Sequence, residues 1–224
     1  MKLTEVRTYL TDKTEALMRD AGLTVYRCKF GLQGVWQSPF DDGVEGTITL
    51  GNHSKYSSLT YYFWVGVRIC EVDELYEKLM PKVESEKASK KHADIRKRAT
   101  IVTNSGYESP TGEYIVYQAD KPQDIDRNVT EAFQSALDAG KNYIQKYGSR
   151  EIFRSSEDAF KELLFDEQRA VMLFWLGKYD LASMLVREKI LTAPNIKLFE
   201  RQRIFGKRLL ELIEQQKPDK TFSN

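Results

Sequence analysis

Residues 57–70 read S-S-L-T-Y-Y-F-W-V-G-V-R-I-C. Side chains alternate along a strand, so this run sends Leu59, Tyr61, Phe63, Val65, Val67 and Ile69 to one face. Thr60, Tyr62, Trp64, Gly66, Arg68 and Cys70 go to the other. The first set reads as core. The second joins two large aromatics to an arginine, and aromatics and arginine are the residues that anchor interfaces.

Upstream, the same period of two marks strands over 24–30, 35–38 and 44–50, rich in β-branched and aromatic residues. Turn clusters at 38–43 and 51–54 separate them, and such short connections imply an antiparallel meander. Thr47 and Thr49 share one side of their strand, as a sheet with one wet face would show. Before the strands, Leu3, Val6, Leu10 and Leu17 form the apolar stripe of a helix over 2–20, stopped by Ala21-Gly22.

Downstream, Asp73 is expected to cap a helix bearing Leu75, Leu79 and Val83, with Pro81 breaking it. Two more short strands are expected at 100–103 and 113–119. Beyond Asp120 the helical period takes over. Ile125, Val129, Phe133, Ala136, Gly140 and Tyr143 recur in steps of three and four, and Gly148 stands in a C′ position. Ser155 is expected to start a helix that stops at Gly177. Further helices follow at 179–191 and from Pro194 to about 216. The fold class is therefore α+β: a sheet domain over 1–120, a helical region over 121–216 packed on it or forming a small subdomain, and a tail at 217–224.

Composition narrows the function. Of 224 residues, 41% are hydrophobic and 30% charged, the balance of a soluble globular chain. The 34 basic and 33 acidic residues nearly cancel, so bulk charge favours neither nucleic acid nor anionic membrane. The first ten residues carry charges and no apolar run of the secretory kind, and no stretch has the length of a membrane span. Cys28 and Cys70 are the only cysteines and stand far apart, which suits a reducing cytoplasm and excludes a cysteine-built disulfide or zinc framework.

Chemistry-bearing motifs are sparse. No phosphate-binding glycine loop, dinucleotide fingerprint or nucleophile elbow occurs, so no cofactor and no metal is expected. A hydrolase or nuclease site would have to gather His53 with Asp41, Asp42 and Glu45 of a neighbouring loop, where oxygens could also hold a hard cation. Nucleic acid could meet the basic run of Lys87, Lys90, Lys91, Arg96, Lys97 and Arg98. At 3.6 residues per turn those charges spread around a helix rather than forming one phosphate-facing stripe. A protein partner is the stronger expectation, bound through Tyr62, Trp64, Arg68 and Trp36 with help from the C-terminal helices.

Two resemblances add to this. Residues 166–194 resemble one tetratricopeptide-type helical hairpin, with Ala170, Gly177, Tyr179, Ala182 and Pro194 in pattern, while Val186 and Lys189 depart from it. The order of A-G-L (21–23), V-Y-R-C-K-F (25–30), G-V-W-Q-S (34–38), T-I-T-L-G (47–51) and L-G-K-Y-D-L-A (176–182) is similar to small bacterial proteins of toxin-immunity and genomic-island genes. That resemblance implies an interaction protein without catalysis, and it supplies no active site.

Overall fold

Ser58–Ile69 of the run at 57–70 form a central strand of the sheet. The computed structural model describes residues 2–28, 31–55, 58–81, 100–108, 112–155, 163, 165–192 and 199–216, with two compact units. The first is drawn from Met1–Cys70 and Ser89–Ser155, the second from Glu71–Ala88 and Ser156–Asn224.

In the first unit, helix α1 (Leu3–Asp20) leads into β1 (Thr24–Cys28), β2 (Gly31–Gln37), β3 (Val44–Lys55) and β4 (Ser58–Ile69). These pair antiparallel in chain order, as short turns require. Two short strands then share the other side of β4: β5 (Ile101–Asn104) along Trp64–Val67 and β6 (Tyr117–Ala119) along Leu59–Tyr61. β3 runs five residues past the expected end, so His53 sits on a strand opposite Thr60 and not in a loop.

The core face of β4 is as expected: Leu59, Tyr61, Phe63, Val65, Val67 and Ile69 are all buried. Over it lies α3 (Pro122–Tyr147), where Phe133 meets Phe63 edge to face at 6.1 Å between ring centres. Pro122 and Asp124 start this helix; the Asp124 carboxylate accepts from the Asp120 and Lys121 amides at 3.1 and 3.2 Å. Gly140 is small where α3 crosses the sheet. A Cβ there would stand 3.0 Å from the Trp36 ring and 3.5 Å from Val65. α1 packs beside α3, and Tyr9 donates a 2.7 Å hydrogen bond to Asp126 across the two helices.

Residue 120 is thus no boundary of packing. Composition changes there because strands give way to helices, yet α3 supplies the apolar layer over the sheet and belongs to the first unit. Gly148 also departs from expectation, since its φ is −79° and not left-handed. Close approach explains the glycine: a Cβ would lie 2.3 Å from the Ile144 carbonyl oxygen, beside the Ser38 hydroxyl that donates to the Gly148 carbonyl at 2.7 Å. The helix that follows, α4, is described over Arg150–Ser155, so Ser155 is itself helical; the residues after it, 156–162, where the next helix was expected to begin, lie outside the described residues.

Helix α2 (Cys70–Leu79) grows straight out of β4, so Asp73 lies inside it rather than at its cap. Its buried Tyr76 packs on Phe205 at 5.5 Å within the second unit. That unit also holds α5 (Asp166–Trp175), α6 (Tyr179–Leu185) with a π-turn at Val186–Ile190, and α7 (Glu200–Gln216). Ala170 and Ala182 are fully buried in the hairpin α5–α6, and Gly177 turns it with φ +73°. Pro194, part of the expected pattern, lies outside the described residues.

Candidate functional site

The strand register sorts the sheet into two faces. α1 and α3 pack on the face of Phe63 and Val65. Trp36 belongs to that face: it pairs with Gly46, and a Cβ on Gly46 would stand 2.2 Å from its ring. Trp36 therefore wedges between sheet and α3. It stands on the opposite side from Tyr62 and Trp64: through Gly46 it aligns with Val67 of β4, because the register of β2 against β4 is set by pairing and not by sequence distance.

On the other face, Tyr62 stands opposite Gly51 and Trp64 opposite Thr49. The absent side chain at Gly51 makes room for the Tyr62 ring, which comes within 2.3 Å of where a Cβ would be. His53 lies 6.1 Å from the same ring and Trp64 6.0 Å, the latter edge to face. Tyr62 and Trp64 are both partly exposed.

Two further tyrosines complete the cluster from the connection between β5 and β6. Tyr114 lies 6.2 Å from Tyr62 and 6.2 Å from Trp64; Tyr107 lies 6.0 Å from Tyr114. Asn104, fully buried at the end of β5, holds the two arms of that connection together. Its side-chain oxygen accepts from the Gly106 amide at 2.9 Å and the Ile115 amide at 3.1 Å. Gly106 is needed there, since a Cβ would sit 2.0 Å from the Glu113 carbonyl oxygen. Burial first, and then its neighbours Tyr62 and Tyr107, hold the Tyr114 phenol above its ordinary value. It is a neutral ring and a hydrogen-bond donor at neutral pH.

The same face closes at its other end. Arg68 is 5% exposed and Thr47 1%, so the alternating threonines do not mark a uniformly wet surface. Arg68 donates to the Glu45 carboxylate directly across the ladder at 2.7 Å and to the Cys70 sulfur at 3.2 Å. It is a buried structural cation and not a surface anchor.

The residues considered for hydrolysis are dispersed. His53 lies eight positions along β3 from Glu45, roughly 26 Å at the rise of a strand. Asp41 is occupied by Arg150, whose amide and guanidinium donate at 3.0 and 2.9 Å, and by the Gly43 amide at 3.0 Å. Burial pushes this carboxyl up, but those hydrogen bonds outweigh it and hold Asp41 below the usual carboxylate range. Asp42 points to solvent. Among the described residues no group of three histidine, cysteine or acidic side chains has metal-binding geometry. The basic run at Lys87, Lys90, Lys91, Arg96, Lys97 and Arg98 lies outside the described residues. No described helix is long and apolar enough to cross a membrane.

Tyr62 and Trp64 were legible as a pair because they share one strand. Tyr107 and Tyr114 were not, since they come to the cluster on the two arms that Asn104 joins through the Gly106 and Ile115 amides. Comparison with protein-family models, with curated proteins and with solved structures found no match.

Proposed function

We propose that this protein is a non-catalytic binding protein of the cytoplasm that engages another protein through the sheet face carrying Tyr62, Trp64, Tyr107 and Tyr114. The observation behind this reading is the four-ring cluster on the side of the sheet opposite α1 and α3. Tyr107 and Tyr114 are 53% and 45% exposed, unusual for large rings that could have packed inward. Rigid aromatics lose little side-chain entropy on binding and bury a large area, which suits them as interface anchors. A clamp that orders them before binding lowers the cost of association further.

The test is site-specific photocrosslinking in cells. A benzoylphenylalanine at position 107 or 114 is expected to capture a partner, and the same group at Gln134, exposed on α3, is not. The Tyr62→Ala/Trp64→Ala double variant should abolish the adduct while keeping the fold. Adducts at 134 but never at 107 or 114, or an adduct unaffected in the folded double variant, would sink the reading.

A further inference from the structure

The cluster has a charge environment as well as a shape. By register, the strand residues on its face with a formal charge are Glu45, Lys55 and Arg68. Glu45 and Arg68 neutralise each other. Lys55 stands at the hairpin end, four positions beyond Gly51 and about 13 Å along the strand. The connection that brings Tyr107 and Tyr114 to the cluster contains Glu108 and Glu113, each next to one of those tyrosines, and no lysine or arginine between residues 105 and 116. The short segments that carry two of the four rings are therefore acidic in sequence.

We propose that the cluster receives a cation, specifically an arginine side chain on a basic segment of the partner protein. This rests on the protein-binding reading above. Aromatic rings carry negative charge on their faces and attract a cation lying within about 6 Å of the ring centre. Three mutual ring separations of 6.0, 6.2 and 6.2 Å among Tyr62, Trp64 and Tyr114 bring their centres within reach of a single guanidinium seated above them. The planar, weakly hydrated guanidinium stacks on rings better than an ammonium and leaves water at lower cost. Glu108 and Glu113 supply the long-range attraction and disfavour acidic partners and phosphate backbones. The Tyr114 phenol adds no competing charge at neutral pH, since burial and then its tyrosine neighbours hold it above its ordinary value.

The experiment titrates the full-length protein with a short peptide of repeating Gly-Ser-Arg, with its lysine, leucine and glutamate counterparts, and with single-stranded oligo-dT, following the tyrosine and tryptophan ring resonances. The arginine peptide is expected to shift the rings of Tyr62, Trp64, Tyr107 and Tyr114, and to bind more tightly than the others. Tyr107→Leu and Tyr114→Leu keep apolar bulk but remove a ring face, and each should weaken binding about threefold or more. Glu108→Gln with Glu113→Gln should weaken it and flatten its salt dependence.

Equal or better binding of the leucine, glutamate or oligo-dT probe overturns the inference. So does an arginine affinity indifferent to both leucine variants, or no ring shift with the arginine peptide. Photocrosslinking separates these failures from failure of the underlying reading. A partner captured at 107 or 114 through a segment without arginine or lysine leaves protein binding standing and removes only the cation.

Discussion

The Tyr61 hydroxyl is buried on the core face of β4 and has no hydrogen-bond partner among the described residues. A buried, unpaired hydroxyl costs about 1–3 kcal/mol. Tyr61→Phe should therefore stabilise the protein by about 1 kcal/mol in chemical denaturation, against the usual direction of core substitutions. Burial, and then charge on Tyr117, raise this phenol above its ordinary value of 10.0. The folded state keeps a proton that the unfolded chain releases, so this contribution is intact below about pH 10 and declines above it. The phenylalanine variant should lose that part of the alkaline slope. Asp41 has the opposite sign: its depressed carboxyl contributes stability above the usual carboxylate range and loses it as pH falls through the folded value. Asp41→Asn should cost about 2 kcal/mol at neutral pH, with wild type and variant converging in acid when compared by thermal melting.

At the scale of elements, one side chain organises the connection from β5 to β6. Asn104→Ala removes the acceptor for two amides and leaves them without it in a buried setting. Amide exchange at Gly106 and Ile115 should accelerate at least about tenfold while exchange along β3 and β4 stays slow, because the cluster side of the connection would open locally. Unchanged exchange at those two amides would show that the clamp is not what orders Tyr107 and Tyr114. The hairpin α5–α6 depends on backbone handedness instead. Gly177 has φ +73°, and no atom lies within 4 Å of where its Cβ would stand, so Gly177→Ala meets strain and no clash. The expected loss is about 1 kcal/mol, measured by denaturant melts.

The whole molecule is two discontinuous units, each assembled from an early and a late stretch of chain. Ending the chain after residue 120 would strip α3 from the core face and expose Phe63, Val65 and their neighbours. That fragment should fail to give a dispersed NMR spectrum. A chain ended after 155 retains α1, the sheet and α3. With Tyr76 and Leu79 of α2 made polar to replace their lost cover, it should keep the near-ultraviolet signal of the packed aromatics. If both fragments fold alike, α3 is not an integral layer of the first unit.

Local period and turn chemistry were enough to determine the α+β class, the antiparallel order of β1 to β4, the core face of residues 57–70 and the glycine turn at 177. These depend on neighbours in the chain, whose spacing is written out residue by residue. Three decisions needed tertiary structure. Trp36 went to the helix-covered face, Arg68 went into a buried pair with Glu45, and Tyr107 and Tyr114 joined Tyr62 and Trp64. Each turns on which distant residue stands opposite across a ladder or a clamp. Alternation along one strand says that two residues share a face; only pairing between strands says what that face meets.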